Sequence, residues 1–308
     1  MEVRRETVFG RGVLPSDICA VMKNYLSLVK FTHTIFAMPF ALTAFFIAIS
    51  QQNEGMNWLK LALVVLCMIF ARSAAMAFNR YLDRDIDAEN PRTKVREIPA
   101  GIISPKAALG FVIVNCLLFI ATTWFINPLC FFLSPVALAV VLGYSYTKRF
   151  TWLCHLVLGL GLSLAPVGAY LAVTGRFDWI PVLYGLAVLL WVAGFDVIYA
   201  LQDEEFDKSQ RLYSIPSFFG KKRALRISEW MHLGTAALMV YAGNRLHSAV
   251  PETGWLLWSG TTIFLGLLLY QHLIVKPNDL SRVNMAFFTT NGVASLIFGT
   301  LAIADLLS

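Results

Sequence analysis

The sequence predicts an all-α fold, a polytopic membrane bundle of about nine transmembrane helices around a central cavity. Three observations predict it. Of the 308 residues, 57% are hydrophobic and 14% charged, with a mean hydropathy of +0.65, which suits a chain embedded in lipid better than one dissolved in water. Apolar runs of about 20 residues, the length that crosses a hydrocarbon core of ~30 Å, recur from residue 31 to the end. The charged residues gather in the connections between those runs.

Residues 1–17 are polar and of mixed charge, without the apolar core and cleavage site of a signal peptide, and are expected to form a loose tail. Residues 18–308 are expected to form a single membrane domain. Its first stretch, 18–30, sets Ile18, Val21, Met22, Tyr25, Leu26 and Val29 against Lys23, Asn24 and Lys30, the stripe of a helix lying at the membrane interface. Nine spans follow, near 31–50, 57–82, 105–125, 127–145, 152–174, 179–202, 224–245, 254–275 and 284–307. Asn127-Pro128 marks a tight connection between the third and fourth.

Orientation follows from the basic residues. With the N-terminus cytoplasmic, 21 of the 25 Lys and Arg residues fall on that side, and only Lys60, Arg176 and Arg245 on the other, with Arg72 inside a span. The excess predicts N-terminus in and C-terminus out. The five cysteines have no metal-ligand spacing and all but Cys19 lie in apolar runs, so they read as small core hydrophobes. The net charge of +6 resides in loops, which matches anionic lipid headgroups and a polyanionic substrate rather than nucleic acid.

The second span runs directly into Asn79-Arg80-Tyr81-Leu82-Asp83-Arg84-Asp85-Ile86-Asp87. On a continuous helix Asn79, Asp83 and Asp87 share a face at i, i+4 and i+8, and one amide oxygen with two carboxylates makes a hard donor set suited to Mg²⁺. A solvated, self-neutralising helix end is the default for such a segment taken alone. A second acidic segment, Asp196-x2-Tyr199-x3-Asp203-Glu204-Glu205-Phe206-Asp207, leaves the sixth span in the same way. Each is followed by a loop ending in an apolar-proline element, Glu97-Ile98-Pro99 and Ser214-Ile215-Pro216, an echo of two equivalent helix–loop units facing one cavity. Both lie on the predicted cytoplasmic side.

Other residues complete a site for a diphosphate. Arg72 lies two turns, or ~10 Å, before Asn79, inside the bundle, where a charge needs a partner or a substrate; snorkelling to the interface is the competing reading. Arg92 and Arg96 are one turn apart if their loop is helical, and with Lys94 can clamp phosphate oxygens. Tyr144 and Lys148 are one turn apart at the end of the fourth span, where an interfacial aromatic-basic belt explains them equally well. Carboxylates alone repel a diphosphate, and metal ions between them reverse the sign. A transporter or cation channel with acidic rings is the competing class. It requires charge at the midplane or on both sides, whereas here the acids gather at one boundary beside Arg and Lys. The five histidines, His33, His155, His232, His247 and His272, are scattered and read as packed or interfacial side chains. Asp85, Glu89, Glu204 and Glu205 are expected to face loop or solvent.

The Asn79-x3-Asp83-x3-Asp87 element with its continuation Asn90-x-Arg92-Thr93-x2-Arg96, and the later Asp196-x2-Tyr199-Ala200-x2-Asp203-x3-Asp207, resemble the two signature motifs of the UbiA superfamily of intramembrane prenyltransferases. The resemblance extends over nearly the whole chain, including Lys30-Phe31-x-His33-Thr34 before the first span, and is nearest in spelling to the 4-hydroxybenzoate polyprenyltransferases. It implies one Mg²⁺ on Asn79, Asp83 and Asp87 and another on Asp203 and Asp207. It implies Arg92, Arg96, Lys148 and Lys30 on the substrate diphosphate, and Arg72, Tyr144 and Asp196 around the reacting carbon and the aromatic acid acceptor. The implied reaction moves a polyprenyl group from polyprenyl diphosphate to the carbon ortho to a phenolic hydroxyl, as in ubiquinone or menaquinone biosynthesis at a bacterial inner membrane. The apolar spans accept many isoprenoid lengths. The chain departs from the pattern at Arg96-Glu97-Ile98-Pro99, where the 4-hydroxybenzoate enzymes often have Arg-Pro-Leu, which leaves a dihydroxynaphthoate open as the acceptor.

Overall fold

The computed structural model describes residues 15–29, 36–52 and 55–308, with side chains from residue 22 onward. Lys30 and His33 lie outside the described residues, as do most of the N-terminal tail and the start of the first expected span. The described residues form helices and loops, the one β-type contact being an isolated bridge between Lys276 and Asp279.

The helices are α1 (Pro15–Leu28), α2 (Met38–Gln52), α3 (Trp58–Leu82), α4 (Arg84–Glu89), α5 (Pro105–Trp124), α6 (Pro128–Thr147), α7 (Cys154–Thr174), α8 (Trp179–Ala200), α9 (Glu204–Ser209), α10 (Ile215–Phe219), α11 (Lys221–Ala249), α12 (Trp255–Ile274) and α13 (Asn291–Leu306). Local chemistry sets several boundaries. Asn57, Ser104, Asn127 and Asp178 accept backbone N–H groups at the starts of α3, α5, α6 and α8, taking donors that the first helical turn leaves without partners. Pro135 inside α6 cannot bond to the Phe131 carbonyl, which instead accepts the Ser134 hydroxyl at 2.8 Å, the kind of internal satisfaction that lipid requires.

Among the described residues seven helices are long and apolar enough to cross a membrane: α3, α5, α6, α7, α8, α12 and the final helix, which opens with a π-helical turn at Met285–Thr290. Of the nine expected spans, those at α2 and α11 are not among these seven. The described part of α2 has 15 residues, and α11, though 29 residues long, is broken up by Glu229, His232 and charged ends. The nine expected segments all contain helix.

α8 is the centre of the packing, lying against α7 and α11, while α2 packs on α7 and α13, and α3 on α5. Backbones touch where side chains are missing. A Cβ at Gly159 of α7 would meet the Leu189 carbonyl oxygen at 2.3 Å, and one at Gly194 of α8 would meet the His232 ring at 2.4 Å. The core joins Phe40, Trp191, Phe264 and Phe298, with the Trp191 indole N–H donating to Asn291 Oδ1 at 2.9 Å. Asn291 also donates to the carbonyls of Ala286 and Phe287, which supports the widened π turn.

The connections after α3, α6 and α8 meet: the Tyr213 amide donates to the Lys148 carbonyl at 2.7 Å, and Lys148 Nζ reaches Asp83 at 2.6 Å. Overpacking a close contact of this kind costs ~1–3 kcal/mol. Gly159→Val should therefore lower the midpoint of thermal unfolding in detergent. Gly143→Val, at a position where a Cβ meets nothing within 4 Å, should leave it nearly unchanged, and equal midpoints would contradict the α7–α8 contact.

Candidate active site

The first acidic motif does not lie on one unbroken helix. α3 ends at Leu82, Asp83 leaves helical geometry with φ −92° and ψ 5°, and α4 starts at Arg84. The i to i+4 bonds nonetheless persist, Asp83 N to Asn79 O at 2.9 Å and Asp87 N to Asp83 O at 2.7 Å. Asp83 and Asp87 therefore keep the side the spacing predicts, and both are buried, at 2% and 4% exposure.

Buried carboxylates need counter-charge, and each finds a cation. Asp83 accepts Lys148 Nζ at 2.6 Å and Arg149 Nη2 at 2.9 Å, and the Asn79 amide donates to it at 3.2 Å. Asp87 holds Arg96 through both oxygens, at 2.6 and 2.8 Å. Asp203, at the end of a 3-10 turn after α8, takes Arg92 through both oxygens and the Asn90 amide at 3.2 Å. Asp207 accepts the Ser214 hydroxyl at 2.9 Å and lies within electrostatic reach of Asp203 and Lys148. The two acidic segments thus meet: Asn90 and Arg92 of the first reach Asp203 of the second.

Arg92 also donates to the Tyr199 hydroxyl at 2.9 Å and lies over its ring at 5.2 Å. Burial works against its charge, but the hydrogen bond and field of Asp203, with help from Tyr199, outweigh it and hold the guanidinium above its ordinary pKa. Tyr199 is in turn stacked on Phe287 of the π turn, with centroids 4.1 Å apart. Arg92 and Arg96 do not form the joint clamp expected of a helical loop. Residues 91–103 run through turns, so one arm reaches Asp203 and the other Asp87.

Arg72 and Tyr144 line one cavity of about 220 Å³, otherwise walled mostly by apolar side chains of α3, α5, α6 and α7. Its walls include no residue of α8, α11, α12 or α13, which puts it in the N-terminal half of the bundle. Arg72 Nε is buried with no hydrogen-bond partner among the described residues. Tyr144 is within electrostatic reach of Arg72, Asp83 and Asp196, which links this cavity to both acidic segments.

The carboxylates do not converge on a single point. Among the described residues no group of three or more His, Cys, Asp or Glu side chains lies together as a metal site; Asp83, Asp87 and Asp203 are instead each paired with cations of their own. The donor chemistry still fits Mg²⁺: the oxygens are hard and buried, whereas Arg92, Arg96, Lys148 and Arg149 are 22–34% exposed, long arms able to exchange one anion for another.

Sequence reasoning missed Arg149, Asn90 and Ser214 as partners of the motif carboxylates and Tyr199 as a partner of Arg92, and it set His155 aside. His155 Nδ1 is 2.7 Å from Asp196 Oδ2. Glu204, expected in solvent, is buried and paired with Lys208 at 2.5 Å. Glu97 is also buried, and accepts the Ser27 hydroxyl of α1 at 2.5 Å.

The model of the UbiA prenyltransferase family matches residues 37–293. This chain belongs to the UbiA prenyltransferase family. It is a prenyltransferase and an integral membrane protein. A 4-hydroxybenzoate octaprenyltransferase of Aliivibrio fischeri (strain MJ11) is 31% identical over 244 residues, covering 79% of this chain and 82% of that protein. One of Nitrosomonas eutropha is 31% identical over 251 residues, covering 80% and 84%. Among solved structures, a UbiA homologue of Aeropyrum pernix K1 superposes with a TM-score of 0.79 at 31% identity, covering 89% of this chain and 98% of that one. A UbiA homologue of Archaeoglobus fulgidus bound to GPP and Mg²⁺ shares the fold, with a TM-score of 0.69 at 23% identity, covering 92% and 100%.

In this UbiA chain the contact between segments is open to a double-mutant cycle. Arg92→Ala and Asp203→Ala should couple by ~0.5–3 kcal/mol in stability. Arg96→Ala and Asp203→Ala, which share no contact, should be additive. Additivity in the first pair would contradict the arrangement.

Proposed function

We propose that the chain transfers a polyprenyl group from polyprenyl diphosphate to the carbon ortho to the hydroxyl of 4-hydroxybenzoate, with Mg²⁺, in ubiquinone or menaquinone biosynthesis at the cytoplasmic face of a bacterial inner membrane. The observation that carries this reading is the meeting of Arg92 with Asp203, together with the cavity that Arg72 and Tyr144 line. Two features support it further: the 4-hydroxybenzoate octaprenyltransferases that the chain resembles over most of its length, and a homologue of the same fold that binds GPP and Mg²⁺.

Asn79, Asp83 and Asp87 would hold one Mg²⁺, and Asp203 with Asp207 another; when bound, the metal neutralises the diphosphate and favours its departure. Arg92, Arg96 and Lys148, with Lys30 from the segment before α2, turn to the diphosphate oxygens and take up the charge that grows as the allylic C–O bond breaks. The apolar walls hold the isoprenoid tail and keep water away from the allylic cation, with Tyr144 and Asp196 beside it. Arg72, with an unpaired Nε in an apolar wall, pairs with the acceptor carboxylate. The acceptor ring carbon bonds to the allylic carbon, its C–H proton passes to the Asp196 carboxylate, and the bonding electrons of the broken C–O bond leave with diphosphate.

Membranes given geranyl diphosphate and a panel of phenolic acids should yield prenylated 4-hydroxybenzoate by mass spectrometry. Arg72→Ala should raise KM for that acid on the order of tenfold or more, the worth of a hydrogen bond to a charged group. Product from a dihydroxynaphthoate alone, or an unchanged KM, would overturn the acceptor assignment.

A further inference from the structure

His155 sits in the first turn of α7 at 3% exposure, between α8 and the turn that opens α10. Its two ring nitrogens have different partners. Nδ1 is 2.7 Å from Asp196 Oδ2, and Nε2 is 3.2 Å from the backbone nitrogen of Ile215. An amide N–H can only donate, so Nε2 must carry the lone pair and the neutral ring must carry its proton on Nδ1. That proton points at Asp196 Oδ2. The two partners thus select one tautomer of the two available.

The same ring reaches both ends of the second acidic motif. Asp196 opens it. Ile215 follows Ser214, which caps α10 and whose hydroxyl donates to Asp207 Oδ2 at 2.9 Å. Asp196 is 23% exposed, and its Oδ1 accepts no hydrogen bond from a described residue. One carboxylate oxygen is therefore held against buried imidazole while the other is left for substrate, a division of labour that a histidine serving only to fill space does not require.

We infer that His155 is a positioning residue: the structure assigns to it the task of fixing the Asp196 carboxylate for proton acceptance and of holding the Ser214 turn that orients Asp207. The inference rests on the reaction proposed above and extends it to a residue outside both motifs. In the step concerned, the acceptor ring loses its ortho proton to Asp196 Oδ1, the C–H pair restores aromaticity, and Asp196 becomes a neutral acid. His155 keeps its own proton throughout and touches neither the prenyl group nor the acceptor.

Two substitutions separate the ring's two bonds. The side-chain amide of His155→Asn can donate from the Nδ1 position, and that of His155→Gln can accept at the Nε2 position. The expected result is that His155→Gln lowers kcat for transfer at least tenfold, with KM for geranyl diphosphate within twofold, while His155→Asn restores most of kcat. In an Asp196→Asn background the His155→Gln change should cost nothing further. Equal kcat losses in the two variants, or full additivity with Asp196→Asn, would overturn the inference. Failure of the wild-type protein to prenylate any phenolic acid would instead overturn the reaction it rests on. Should a variant fail to fold, nitrogen-15 NMR of ring-labelled histidine in the wild-type protein gives a second reading. Two of the described histidines should be in the Nδ1–H form, His155 and His247, whose Nδ1 faces the Thr253 carbonyl at 2.6 Å, and only the His155 signal should be displaced in Asp196→Asn. A wild-type spectrum with no Nδ1–H signal beyond that of His247, identified by its loss in His247→Gln, or one in which Asp196→Asn moves no Nδ1–H signal, would overturn the assignment.

Discussion

The contact on which the site depends is the one between Asp203 and the pair Asn90 and Arg92, because it joins segments more than a hundred residues apart in the chain. Without it the acidic ends of α3 and α8 would be joined only indirectly, through α7 and through Lys148, which pairs with Asp83 and accepts the Tyr213 amide at its carbonyl. The contact is shaped by its surroundings: the Tyr199 ring supports the Arg92 guanidinium, Phe287 stacks on Tyr199, and Phe287 belongs to a π turn whose carbonyls Asn291 satisfies. A wide turn in the last span thereby positions a charge in the loop between α4 and α5. π turns inside helices often accompany functional positions, and here the route from turn to site can be followed residue by residue.

The same logic explains why so many charges gather at one end. A buried ion pair is weak evidence for stability, since desolvation offsets much of the attraction. Pairing Asp83 with Lys148 and Arg149, Asp87 with Arg96, and Asp203 with Arg92 is better understood as storage of an anion site. The carboxylates are the buried partners and the cations the more exposed ones, so the arms can move to a diphosphate while the carboxylates remain to receive divalent cations. Arg72, deeper in an apolar cavity and without such a carboxylate, stands apart from this set.

The fold class and the two motifs were legible because they depend on local rules. Span length reveals helices, and the i, i+4 spacing of Asn79, Asp83 and Asp87 survives as hydrogen bonds even where the helix breaks at Asp83. The break was not legible, since nothing in Leu82-Asp83-Arg84 marks it. The span count was blurred at α11, where His232 is accommodated by the missing side chain of Gly194, a tertiary compensation invisible in a hydropathy profile. The partners of the carboxylates were hidden for the same reason. Arg149, Ser214 and His155 reach the motifs from other helices and loops, at spacings no periodicity encodes. Glu97 shows the reverse case. Its departure from the family spelling drew notice as a possible influence on the acceptor, yet its side chain turns to Ser27 and helps tie α1 to the loop.

The central claim is that both acidic segments act on one diphosphate through divalent cations. Electron paramagnetic resonance of Mn²⁺ bound to the purified protein, with and without inorganic pyrophosphate, tests it most directly. Pyrophosphate should increase Mn²⁺ binding in the wild-type protein, and that increase should disappear whether Asp87→Asn in the first segment or Asp207→Asn in the second is introduced. An increase that survives intact in either variant would contradict the claim.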